Sequence, residues 1–193
     1  MGENNKSIRC FGDSSEIYTK YHDSEWGVIV HDERLLFEML ILEGAHAGLS
    51  WEIILKKREN YKKAFDNFEI KKILNYDEKK INELMQNSGI VRNKLKILSV
   101  IRNANAFVKI QEEFGSFDKY IWNFVNNKPI INNFKEFSEM PSKTEISDKI
   151  SKDLKKRGMN FVGSTIIYSY MQAIGMTNDH FVWCICQNRN HTK

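Results

Sequence analysis

The chain has 193 residues, 41% hydrophobic and 12% aromatic, with three cysteines and a formal net charge of +4. That length and apolar content support one folded domain with a buried core and exclude a disordered chain. The small positive charge is compatible with nucleic acid without arguing for it, and three cysteines behind a polar start indicate cytoplasmic thiols or a metal rather than a disulfide framework.

In chain order, Cys10-Phe11-Gly12-Asp13 opens a turn. Residues 15–21 predict a short helix with Tyr18 and Tyr21 on one face. His31 or Asp32 caps a helix from about Leu35 that is apolar on nearly every side, which marks a buried helix. It delivers Glu43 into the interior, where an isolated charge is costly. Gly44 and Gly48 allow close backbone approach, Leu49 is a wedge-sized aliphatic, and Ser50 suits the N-cap of a helix over Trp51–Ala64. Ile53, Ile54 and Phe65 are expected to face inward. A buried acid, a glycine loop, a wedge and a broad ring are the parts of a pocket for a flat, polar ligand. A helix that stops at Gly44 and restarts at Ser50, with Glu43 in a salt bridge, fits the same residues.

Glu78–Gln86 predicts a helix stopped before Gly89, with Ile81, Leu84 and Met85 inward. The next helix carries Ile97, Val100, Ile101, Ala104, Phe107 and Val108 at helical spacing. Arg92, Lys94 and Lys96 stand at the join, where backbone amides and positive charge can meet a phosphate; a plain helical hairpin with solvated lysines is the other reading. Residues 117–137 read as a helix and an irregular connection, residues 146–157 as a helix ended by Gly158, and residues 164–174 as an apolar helix closed by Gly175.

A last short helix is expected from Asn178 to Cys184. It would put His180 and Cys184, at i and i+4, one above the other, where imidazole and thiolate can share a tetrahedral ion. A structural zinc needs two more ligands, and Cys10 and His22 are the candidates at the other end of the chain. Three coincidental thiols remain the alternative. No repeat or linker divides the chain, no apolar run reaches membrane-spanning length, and residues 187–193 form a polar tail. The expectation is a mainly helical domain over 1–193 made of two interlocked lobes.

Arg9-Cys10, Tyr21-His22-Asp23-Ser24-Glu25-Trp26-Gly27, Leu42-Glu43-Gly44, Ala47-Gly48-Leu49-Ser50-Trp51 and Leu55-Lys56-Lys57-Arg58-Glu59-Asn60-Tyr61 form an ordered series of blocks. It continues with Gly89-Ile90-Val91-Arg92-Asn93, Lys156-Arg157-Gly158, Phe161-Val162-Gly163 and the run from Asn178-Asp179-His180 to Cys184. In these blocks the chain resembles the 3-methyladenine DNA glycosylase I family, within the helix-hairpin-helix DNA glycosylases.

The resemblance implies an all-α glycosylase with a helix-hairpin-helix element and its two termini joined at a zinc site. It implies base-excision repair by a monofunctional, monomeric, cytoplasmic hydrolase. Such an enzyme flips 3-methyladenine out of alkylated double-stranded DNA and releases it as the free base. By the same resemblance Glu43 is the catalytic carboxylate, reading the polar edge of the cationic base. Tyr18, Tyr21, Trp51, Phe11 and His46 bind the base through their ring faces or edges. Leu49, with Gly48, fills the gap in the duplex. Arg92, Lys94 and Lys96 hold phosphates, and Cys10, His22, His180 and Cys184 hold zinc.

Two departures stand out. Ala45 follows Glu43-Gly44 where the family usually has an amide or bulky side chain, so the contacts of that side chain are either missing or shifted to His46. The segment from Cys10 to His22 is one residue short, with Phe11 in the place of the usual aromatic. After Arg92 the next acids are Glu112, Glu113 and Asp118, too distant for the start of the following helix, so no Asp-driven or Schiff-base mechanism is expected. Two other readings are a non-catalytic, zinc-clipped helical DNA-binding module and a thiol enzyme using Cys186 or Cys184. The second is weak, because no His, Asp or Lys adjoins Cys186 in the sequence to activate it.

Overall fold

A computed structural model describes residues 8–188; the polar start and residues 189–193 of the polar tail lie outside the described residues. Among those described, the chain is mainly helical. Helix α1 is Glu16–Ser24, α2 is Glu33–His46, α3 is Trp51–Ala64, α4 is Ile70–Ile73 and α5 is Glu78–Gln86. Then follow α6 (Lys94–Phe114), α7 (Phe117–Asn123), α8 (Glu145–Lys156) and α9 (Ser164–Ala173).

Helix starts follow local chemistry. The Asp32 carboxylate accepts from Leu35 N at 2.8 Å and fixes the start of α2. Ser50 Oγ accepts from Ile53 N at 3.4 Å, as its N-cap position predicts. Helix α6 ends at Gly115, whose φ of +85° lies in the left-handed region that glycine enters without strain.

Helix α2 is the spine. Leu36, Phe37, Leu40 and Leu42 are essentially inaccessible, and α3, α6, α7 and α9 pack around it. This is why the sequence there is apolar on all sides. Its one deeply buried mid-helix charge, Glu38, receives Arg34 Nη1 at 2.8 Å and Arg58 Nε at 2.6 Å, and Arg58 also holds Glu25. Ile54 and Phe65 are buried as expected, whereas Ile53 is exposed and points away from the core. Helix α2 also runs past Gly44 to His46. Gly44 is therefore a helical residue, and a Cβ there would stand 3.2 Å from the Phe161 side chain.

The expected last helix does not form. Ile130–Ile131 (β1) and Thr177–Asn178 (β2) pair in parallel instead, and the chain then turns through residues 181–188. The reason is polar side chains that bind backbone and neighbours in non-helical geometry. Asn178 Oδ1 accepts from His180 N at 3.1 Å, and Asp179 accepts from Gln172, Thr177 and Asn132. Gly175, with φ +73°, lets residues 28–29 pass so close that a Cβ there would lie 2.5 Å from their backbone. Val30 N donates to Ile174 O and Gly27 N to Gln172 O across this contact, which lays the N-terminal segment on the end of α9. No described helix is long and apolar enough to cross a membrane.

Candidate active site and metal centre

The last turn of α2, the start of α3 and one face of α1 enclose a cavity of about 240 Å³. All six side chains expected to bind or act on a base line it: Phe11, Tyr18, Tyr21, Glu43, His46 and Trp51. Tyr18 and Tyr21 reach it because they are three apart on α1. Trp51 reaches it as the first residue of α3, with its ring centroid 5.4 Å from both Tyr21 and His46.

Glu43 is 3% exposed, and burial raises its carboxyl above the usual range. The opposing influence is His46, whose Nδ1 lies 3.3 Å from Oε2, a long contact in a flexible geometry. No Arg or Lys forms an ion pair with Glu43 among the described residues, unlike Glu38 five residues earlier. The salt-bridged structural alternative for Glu43 thus has no arginine or lysine to rest on and only the long His46 contact. The same carboxylate and burial push the Tyr21 hydroxyl well up, burial being the larger cause. The indole N–H of Trp51 is buried and finds no acceptor among the described residues. A buried acceptor in search of a cation and an unmatched donor in one aromatic pocket suit a flat, positively charged heterocycle.

Trp26, Phe137, Met140, Ser169 and Gln172 also line the cavity and were not picked out from the sequence. Trp26 alone had a signal, in the Glu25-Trp26-Gly27 block; the rest come from the irregular connection and from α9. A larger cavity of about 540 Å³ opens beside the Glu25–Arg58 pair and contains none of the six expected residues.

Past α2, Gly48 takes φ +78°, and Leu49 behind it is 38% exposed. Gly89 lies in the turn between α5 and α6, where Arg92 and Lys94 are exposed. Lys96, unlike these two, is half-buried and has protein partners. Its Nζ donates to Ala45 O at 2.8 Å and Ala47 O at 2.7 Å, closing the C-terminal end of α2, and partial burial lowers its affinity for the proton. Carbonyls at a helix C-terminus carry partial negative charge, so the ammonium is held there.

The four expected ligands also converge, although His180 and Cys184 sit on a turn rather than a helix. Cys10, His22, His180 and Cys184 are all buried with their donor atoms within 4.8 Å of one another. The Cys10–Cys184 sulfurs are 3.7 Å apart, and the sulfur–nitrogen distances are 3.2 to 3.6 Å. A tetrahedral zinc with two sulfur and two nitrogen ligands has edges of about 3.3 to 3.8 Å. The donor set and its size therefore fit a four-coordinate ion. Outer partners orient the rings: His22 Nδ1 meets Asp23 Oδ1 at 2.8 Å, Arg9 grips Asp23 with two hydrogen bonds, and His180 Nε2 meets Trp26 O at 3.1 Å. Cys186 is buried beside this layer, its sulfur 3.8 Å from His22 Nδ1 and 3.9 Å from Asp23 Oδ1. Sequence order hides those neighbours.

The sequence pattern of the methyladenine glycosylase family matches residues 11–187. The chain belongs to this family. It is 46% identical over 174 residues to DNA-3-methyladenine glycosylase 1 of Escherichia coli (strain K12), covering 90% of this chain and 93% of that protein. Its fold matches a crystal structure of 3-methyladenine DNA glycosylase I with a TM-score of 0.91 at 44% identity, over 93% of this chain and all of the other. A variant of 3-methyladenine DNA glycosylase I in complex with 3-methyladenine gives a TM-score of 0.90 at 34% identity, over 93% and 97% of the two chains.

Proposed function

We propose that this methyladenine glycosylase hydrolyses the N-glycosidic bond of 3-methyladenine in alkylated duplex DNA, as a monofunctional base-excision repair enzyme. The observation that carries the reading is Glu43, a buried carboxylate with no Arg or Lys partner among the described residues, at the wall of an aromatic cavity. A base stacked in a duplex is out of reach, so the nucleotide is flipped into the cavity. Methylation at N3 makes the purine cationic and a good leaving group. Tyr18, Tyr21, Trp51 and Phe11 attract the cation through their π faces, and Glu43, steadied by His46, accepts from the exocyclic amine and favours the charge. Selectivity then rests on binding the cation, with little general-acid help required.

Leu49, carried by Gly48, fills the gap left in the duplex. The α5–α6 turn serves as the helix-hairpin-helix element, with Arg92 and Lys94 on phosphates and Lys96 bracing the end of α2. Cys10, His22, His180 and Cys184 hold a structural zinc, which supplies cross-linking of the two ends of the chain and no chemical step. The protein acts as a monomer in the cytoplasm, and one contiguous core from Cys10 to Cys186 supports a single domain. The test is incubation of the purified chain with methylated DNA and chromatography of what is released. Free 3-methyladenine is expected; retention of every base on the DNA would reduce the protein to a binding module.

A further inference from the structure

At the end of α6 remote from the hairpin lies a concavity of about 500 Å³, floored by Phe114, Tyr120 and Phe124 and rimmed by Lys149, Lys152 and Lys156. The lysines stand at i, i+3 and i+7 on α8, so they share one face and span about 10 Å. None of the three forms an ion pair among the described residues, while the neighbouring acids are already engaged. Asp153 accepts from the Tyr120 hydroxyl at 2.7 Å and from Arg157 Nε at 2.6 Å, and Glu113 takes Arg157 Nη1 at 2.6 Å. The rim is therefore positive on balance.

A row of lysines alone is an ordinary solvated face. What sets this one apart is the recessed aromatic floor beneath it. Phe114 stays 38% exposed, its ring 5.1 Å from Tyr120, and the Arg157 guanidinium lies 5.1 Å over Phe114 and 5.2 Å over Tyr120. We propose that this groove is a second nucleic-acid site, taking a single-stranded segment whose phosphates meet the three lysines and whose base lies on Phe114. A positive groove beside an exposed ring is an arrangement that suits single strands, and Phe114 is the exposed ring here. A duplex keeps its π faces inside its own stack. The 21 residues of α6 separate Phe114 from Lys94, a distance of about 30 Å, so the strand held here is not the stretch of duplex held at the hairpin. The inference is independent of base release.

The test is a fluorescence-anisotropy titration of the full chain with a short labelled deoxythymidine oligomer, alongside 3-methyladenine release from a short methylated duplex. In K149Q/K152Q/K156Q the oligomer affinity is expected to fall about tenfold or more, and its log–log salt slope to shrink by about 2. Phe114→Ala is expected to weaken the oligomer about tenfold, with duplex excision unchanged in both variants. Unchanged oligomer affinity in the lysine variant overturns the site. So does duplex excision that falls in parallel, or a polyglutamate peptide that displaces the oligomer at equal concentration, which would assign the groove to an acidic protein.

Discussion

Glu43 and Glu38 show two ways in which one helix buries a carboxylate. Glu38 and Glu43 are both buried on α2, but two arginines satisfy Glu38 and only His46 approaches Glu43. Burial raises the folded-state pKa of Glu43 above its ordinary value of 4.5. With the folded pKa raised, stability is greatest below the unfolded value and falls as pH climbs from there through the folded pKa. Glu43→Gln removes that penalty while keeping shape, so at neutral pH the variant is expected to melt at or above wild type, with the gain vanishing in acid. Excision is expected to drop roughly 10- to 150-fold, from the loss of about 1.5–3 kcal/mol of charge-assisted contact with the base. Thermal melts and single-turnover excision on this variant settle it. A protein that melts lower yet excises at the wild-type rate would return Glu43 to a structural role.

Two neighbouring features at the level of elements, the α2 terminus and the loop to α3, carry separable jobs. Lys96 ties α6 to the last carbonyls of α2, and its half-buried ammonium makes charge-assisted hydrogen bonds there. Lys96→Met is expected to lower stability by about 1 kcal/mol, or about 2–4 °C in Tm. It should leave the salt dependence of DNA binding in place, whereas Lys94→Gln should reduce the log–log slope by about 1 without changing the melt. A Lys96→Met protein with native Tm and a shallower slope would put Lys96 back on the phosphate. Leu49 is exposed on its glycine-borne loop. Leu49→Ala should fold as wild type and excise about tenfold more slowly, reflecting about 1.4 kcal/mol of lost support for the flipped state. An unchanged excision rate would remove the wedge.

For the whole molecule, the Cys/His cluster is what joins the beginning of the described chain to its end. It also backs the base cavity, because Trp26 packs against His22 and His180 on one side, packs against Phe11, and lines the cavity itself. Cys184→Ser is expected to lose the metal and lower Tm by several degrees, since binding free energy at such a site is folding free energy. Cys186→Ser, at a sulfur outside the tetrahedral set, should keep the metal. Elemental analysis of the two variants, purified without chelator, distinguishes them; equal zinc content in both would dissolve the proposed ligand set.

The sequence by itself determined the helices, because each is written in local terms: apolar periodicity in α6, all-round apolarity in α2, and caps at Asp32 and Ser50. It also determined the chemical parts of the site, since carboxylate, rings, thiols and imidazoles are legible wherever the chain later puts them. Tertiary structure alone decided three things. It decided that residues 178–184 turn instead of coiling, because Asp179 and Asn178 find partners on α9 and the β1 strand that no local pattern announces. It decided that Lys96 braces a helix end and that Ile53 faces outward, because both depend on what lies across a gap of many residues. And it decided that Arg58 of α3 reaches Glu38 while only His46 approaches Glu43, a difference set by where α3 passes α2 and invisible in two glutamates five residues apart.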